Sequence, residues 1–327
     1  MNDELLSKFE GTVVGAALGA ALGKAVHFVP KEEVERFFGK PITDFTRPHP
    51  SSPYDFLLPE EVPGEVELLR LALESLVERK TFDPYDFVER VVRWLSEAKV
   101  HKYLNPSLLN ALRALALGED LEEVYRRTAS IDAVLHTVVM GLYHYDDPTL
   151  AAQGARVLAL VLVRGREVDE AAQVIGAATA LLVEGEFDLG DEGERERFID
   201  EVVEVCPELV EAPKYLAKVK EALKKNLRPK EAVELFGNGE FVWEALPLAL
   251  FLFLRDASYP QRAFLNAVNA YGEAGGATAA LGFLVGAWVG AYWGIEVFPP
   301  EWVEKVEHSK RLRELAQKLY ELVVLNR

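Results

Sequence analysis

A few short stretches of this chain carry residue types able to do acid–base, metal or nucleophilic chemistry. His27 follows a glycine-rich apolar segment; an imidazole titrates near neutrality and can serve as a general base, although a lone histidine between Val26 and Phe28 equally fits a core position. Glu65 and Glu67 follow Pro63-Gly64 in the first turn of a helix, where carboxylates complement the helix dipole. Glu273 stands at the start of a second apolar segment and invites the same reading. Ser130, Asp132 and His136 are the residue types of a nucleophilic triad, but they lie within seven residues of one another, whereas triad members come from separate elements. The i, i+4 spacing of Asp132 and His136 predicts a pair on one helix face. Cys206, the single cysteine, precedes Pro207 and reads as a buried thiol, with no disulfide or cysteine metal cluster available. Tyr271, Trp288, Tyr292 and Trp293 fit core positions or a stacking surface for an adenine.

The elements that must position these groups are two glycine ladders. Gly11, Gly15, Gly19 and Gly23 recur every fourth residue, as do Gly282, Gly286, Gly290 and Gly294. That spacing keeps each set near one helix face. Glycine costs a helix about 1 kcal/mol relative to alanine, so four in a row imply that a helix or ligand approaches the backbone closely. The run from Ala274 to Ile295 is uncharged and long enough to span a bilayer, yet it lacks flanking Lys or Arg anchors and fits a buried central helix better. Helical periodicity continues almost throughout, including expected helices over Pro84–Ala98, Leu121–Tyr145, Glu240–Arg255 and Pro260–Tyr271. Asp83-Pro84 and Asp147-Pro148 fit an Asp cap with Pro at the first helical position. The proline-rich segment Phe38–Pro63 is expected to be a long loop that covers a site or is disordered. The fold expected is all-α, a single large orthogonal multi-helix domain over residues 1–327.

The net charge of −17, with no Lys/Arg cluster, argues against a nucleic-acid partner. The charged N-terminus lacks a signal-peptide pattern, which leads to an expected cytoplasmic location and no membrane partner. Abundant Glu and Lys with two Met and one Cys hint at a thermophilic source.

Several segments together resemble the ADP-ribosylglycohydrolase family, which includes dinitrogenase reductase-activating glycohydrolase. They are FEGTVVGAALGAALGKAVHF, ERKTFDPYDFVERVVRWL, LNPSLLNALRALALGEDLEEVYRRTAS, GNGEFVWEALPLALFLFLR and AVNAYGEAGGATAALGFLVGAWVGAYWGIEVFPPEW, in that order, from about Phe9 to Leu319. The resemblance implies a cleft for ADP-ribose or an ADP-ribosylated protein and two magnesium ions held by a Thr-Asp-Asp-Thr motif and a Gly-Gly-Asp-Thr-Asp-Thr motif. Oxygen ligands of this kind suit magnesium, and two ions can orient a ribose for attack by water. Here the first motif falls on Pro63-Gly64-Glu65-Val66 and the second on Tyr271 to Gly276, so Glu65 and Glu273 are the remaining metal-ligand candidates. An expected aspartate in the opening ladder is Ala20, and the acidic residue after it is His27. The Ser-Asn-Gly of the family appears as Ser130-Ile131-Asp132. By resemblance, Glu65 and His27 are the catalytic candidates, and Ser130, Asp132, Tyr271 and Gly272 the ligand-binding ones. The functional expectation is a degenerate member that keeps the cleft with magnesium binding weak or lost. The alternatives are an active hydrolase with a rearranged site and a structural or interaction module.

Overall fold

A computed structural model describes residues 3–99, 102–119 and 128–326. Sixteen α-helices are present among them: α1 (Asp3–Gly23), α2 (Lys31–Phe38), α3 (Gly64–Arg79), α4 (Pro84–Glu97), α5 (Pro106–Ala116), α6 (Val138–Tyr143), α7 (Pro148–Leu160), α8 (Arg166–Glu184), α9 (Glu192–Val205), α10 (Ala212–Lys224), α11 (Pro229–Phe236), α12 (Val242–Arg255), α13 (Pro260–Val268), α14 (Thr278–Trp293), α15 (Pro300–Lys305) and α16 (Ser309–Tyr320). No sheet occurs among the described residues; two isolated bridges, His27 with Gly276 and Ser130 with Phe241, are the only β-type pairings there.

The ladders meet face to face. A methyl group placed on Gly19 would lie 1.7 Å from the Gly282 carbonyl oxygen, and one on Gly282 would lie 2.1 Å from that of Gly19. Gly15 meets Gly286 and Gly11 meets Gly290 in the same reciprocal way, while Gly23 meets Thr278, whose hydroxyl donates to the Gly23 carbonyl at 2.7 Å. The helix α1 with its following turn, Glu4–Val26, is long and apolar enough to cross a bilayer, and it is largely buried inside the fold. The apolar run of the second ladder gives a shorter helix, equally enclosed. The two faces left over by the glycine seam carry Val13, Val14, Leu18, Leu281, Phe283, Leu284 and Val285, all buried in the surrounding core.

Local signals decide most helix starts. The Asp83 side chain accepts from the Tyr85 and Asp86 amides and the Asp147 side chain from the Leu150 amide, each with Pro at the first helical position. The helix expected over Leu121–Tyr145 does not form as one element. Residues 121–127 lie outside the described residues, and Ile131–Ala133 and Leu135–Thr137 are separate 3-10 turns before α6. The reason is tertiary: the Ile131 amide donates to the Glu240 carbonyl at 2.7 Å and the Val242 amide to the Ala129 carbonyl at 2.9 Å, which holds this segment extended against the entry to α12.

Gly19→Ala or Gly282→Ala should cost about 3 kcal/mol of unfolding free energy or more, the upper end of overpacking penalties, because the obstacle is backbone rather than a yielding side chain. Urea denaturation followed by circular dichroism measures this; an unchanged midpoint would show that the helices can part without loss.

Candidate active site

Where α1 ends and α14 begins, the seam delivers His27 next to the first turn of α14. The His27 Nδ1 accepts the Ala279 amide at 3.1 Å. An α-helix leaves its first amides without intrahelical partners, and the imidazole satisfies one of them. With Nδ1 accepting, the neutral ring carries its proton on Nε2, which faces Glu240 Oε1 at 3.4 Å. Both ring nitrogens are therefore engaged, and burial lowers the imidazole pKa, with Glu240 opposing. In this arrangement His27 has no free lone pair with which to take a proton from water.

Glu65 enters from the first turn of α3, as its position after Pro63-Gly64 implies. Gly64 is required there, since a side chain would strike the Tyr103 carbonyl at 2.6 Å. The Tyr54 hydroxyl donates to Glu65 Oε1 at 3.2 Å. Tyr54 is itself fully buried, its ring 5.1 Å from His27 and 5.2 Å from Tyr103. The 39–63 segment thus fills the space above Glu65, with Tyr54 and Leu57 packed on Ala279 and Tyr103 against them. It is tied down by the Lys24 ammonium on the Pro59 carbonyl (2.6 Å), by Ser52 Oγ on the Lys24 carbonyl (2.8 Å) and by the Asn269 amide on Ile42.

Asp132 and Ser130 arrive on the pinned 129–133 segment. Asp132 does not pair with His136: the latter stacks on Phe87, and burial takes its pKa down to about 4. Instead Asp132 interacts electrostatically with Glu65 and Glu240. Glu240, expected inside a helix, precedes α12, and its carboxylate accepts from the Asn105 side chain. Burial pushes the Glu65 carboxyl up to about 8, Glu240 adding to the rise while its own backbone amide and Tyr54 hold it back. Asp132 is driven upward for the same reason, burial first and then the two glutamates. Neither Asp132 oxygen nor Glu65 Oε2 nor Ser130 Oγ has a hydrogen-bond partner.

Glu65, His27, Ser130 and Asp132 therefore share one buried locus; Glu273, Tyr271 and Gly272 do not. Gly272 and Gly275 have φ of +59° and +87°, and Gly275 passes so close to Phe28 that a side chain would meet its carbonyl carbon at 2.8 Å. This tight turn projects Glu273 outward, 72% exposed, with Lys31 and Lys230 each 3.8 Å away. Tyr271, Gly272 and Glu273 line a surface pocket of about 220 Å³ with both lysines. Tyr54, Tyr103, Asn105 and Glu240 are the residues that sequence reasoning missed. The proline-rich segment signalled a cover, but nothing local marked Tyr54 as the residue that enters.

A family model described as ADP-ribosylglycohydrolase matches residues 1–327. An uncharacterized protein of Archaeoglobus fulgidus is 28% identical over 316 residues, 96% of each chain. ADP-ribosylhydrolase ARH3 of Danio rerio is 24% identical over 357 aligned positions, covering 98% of this chain and 92% of its own. ARH3 of Gallus gallus reaches 34% over 119 residues, about a third of either chain. A solved structure titled ADP-ribosylglycohydrolase-related protein complex superposes with a TM-score of 0.69 at 21% identity, over 98% of this chain and 100% of that one, a likeness of fold.

A carboxyl raised by burial stabilises the fold fully below its unfolded pKa of about 4.5 and loses that contribution as pH rises through about 8. In chelator, the stability of wild type relative to Glu65→Gln should fall between pH 5 and 8 by roughly 1 kcal/mol per pH unit. The difference is the proper readout, because Lys24, lowered by burial to about 7, slopes the opposite way above that pH. A flat difference would mean that Glu65 is ionised throughout.

Proposed function

The chain belongs to the ADP-ribosylglycohydrolase family, and we propose that it binds an ADP-ribose-type ligand without performing two-magnesium hydrolysis. The observation that carries this reading is Glu273. By the resemblance it stands at the place of the second metal motif, yet it faces solvent between two lysines, away from the buried Glu65. Two magnesium ions need converging oxygen ligands, and these two carboxylates do not converge. The residues present therefore do not fit the two-ion site that the resemblance implies. Removal of His27 from the role of base, by its two hydrogen bonds, points the same way.

The surface pocket supplies the binding half of the reading. Lys31 and Lys230 suit a diphosphate, and the half-buried Tyr271 offers a ring face to a base. At about 220 Å³ it is smaller than pockets that enclose a drug-sized ligand, which run to roughly 300 Å³ and above, so it would take one end of ADP-ribose and leave the other outside. Glu273 competes with the ligand's phosphates for both lysines.

A second reading, an active hydrolase with a rearranged site, draws on one observation: Glu65, raised to about 8, holds a proton at neutral pH as a general acid must.

Calorimetric titration with ADP-ribose separates these readings. Binding should be independent of magnesium and several-fold tighter in Glu273→Gln, since exposed ion pairs of about 0.2–1 kcal/mol each are released; Tyr271→Ala should weaken it. Loss of binding in Glu273→Gln, or absence of heat with and without magnesium, would overturn the proposal. Release of ADP-ribose from an ADP-ribosylated arginine or serine substrate, abolished by Glu65→Ala, would establish the active reading instead.

A further inference from the structure

We propose that the surface pocket of Tyr271, Lys31 and Lys230 holds the ADP unit of any molecule that ends in one, by its base and diphosphate, and leaves everything beyond the second phosphate in solvent. The inference rests on the ligand binding proposed above and deepens it from one compound to a class: ADP itself, dinucleotides such as NAD, free ADP-ribose, and ADP-ribose still joined to a peptide.

Charge sets which part of the ligand is held. Lys31 and Lys230 come from α2 and α11, and each ammonium lies 3.8 Å from the same oxygen, Glu273 Oε1. The two cations are therefore no farther apart than twice that distance, a gap that two adjacent phosphates can bridge. Lys31 also pairs with Glu35 at 3.7 Å, whereas Glu273 is the one ion-pair partner of Lys230 among the described residues. Lys230 is thus the freer of the two to turn to a ligand.

Beside the lysines the lining becomes apolar. Tyr271 is half-buried, and Val233 and Ala270 extend the wall against which a flat ring can lie. Two asparagines reach the lining, and they differ. Asn269 has both polar groups committed: Oδ1 accepts the Ile42 amide at 2.7 Å, and Nδ2 donates to the Ile42 and Leu265 carbonyls. Asn266 donates through Nδ2 to Asp256 Oδ2 at 3.1 Å, and the carboxylate fixes the orientation of the amide. Asn266 Oδ1 accepts no hydrogen bond among the described residues. A free acceptor beside an apolar wall suits the exocyclic amino group of adenine.

The ribose end is left outside. None of Tyr54, Glu65, Ser130, Asp132 and Glu240 lines this pocket of about 220 Å³. The chain that leaves it at Gly272 runs through Gly275 and Gly276. A methyl group there would meet the Phe28 carbonyl carbon at 2.8 Å and Asn238 Nδ2 at 2.3 Å. That packing gives a sugar no passage through the turn, and Tyr54 fills the space over Glu65 beyond it. A ribose on the second phosphate is therefore unheld, and so is whatever the ribose carries.

The test is a calorimetric series on the wild-type chain. ADP-ribose, NAD and an ADP-ribosylated peptide should bind with equal affinity, and ADP at least as tightly, since its terminal phosphate carries more charge. AMP, with one phosphate for two lysines, should be weaker by up to about fivefold. Inosine diphosphate, with a carbonyl in place of the amino group, should be weaker by up to about tenfold. Inorganic pyrophosphate should compete far less well than ADP. Lys230→Ala, at an exposed position, should erase the difference between ADP and AMP. Binding of ADP-ribose without binding of ADP would overturn this inference and leave ADP-ribose binding standing; absence of binding by both would overturn the two together. Inosine diphosphate or pyrophosphate matching ADP would show that the base is not read, and would likewise overturn it.

Discussion

At successive levels along α1 and α14, a glycine of one helix lies against the backbone carbonyl of the other. No side chain separates the two backbones, so their spacing is fixed by carbonyl oxygens and α-carbons, which cannot yield. Close approach of this kind fixes axial register as well as distance, because a shift of one residue would bring a methyl group or larger into the seam. The ends of the pair are therefore fixed too. The exit of α1 and the entry of α14 come together, which is why His27 can accept the Ala279 amide and why Phe28 and Gly276 pair through their backbones. The buried locus is built on that junction.

Electrostatics then divides two neighbouring carboxylates. Glu65 and Glu67 are two residues apart in the first turn of one helix and are both buried. Burial alone would raise both. Glu67 meets His308, Lys102 and Arg70, which overcome burial and hold it down at about 2. Glu65 meets a phenol and two more carboxylates, so burial wins and the group rises to about 8. The helix dipole is common to both and decides neither; the groups that face them from other elements do.

Much of the fold was legible in the sequence because its signals are local or periodic. Four-residue glycine spacing, Asp-Pro helix starts and apolar periodicity each act within a few residues, and the ordered segments together resemble one family. The boundary failures are also physical. Periodicity carried Leu121–Tyr145 through as a helix, but pairing of Ser130 with Phe241 imposes extended backbone there. Glu240 looked helical and is a pre-helical residue whose side chain turns inward. Tyr54 sits in a proline-rich segment with no period at all, so its burial 11 positions from Glu65 left no trace in pattern.

By itself, the sequence determined that two glycine-lined helix faces must be approached closely, by a helix or by a ligand, and that an all-α fold was to be expected. These follow from residue identity and short-range spacing. The tertiary structure alone decided which acidic groups meet. It buried Glu65 with Asp132 and Glu240, left Glu273 outside between two lysines and engaged both nitrogens of His27. Each of those outcomes depends on contacts between residues far apart in the chain, where burial and opposing charge set the balance and no local pattern records it.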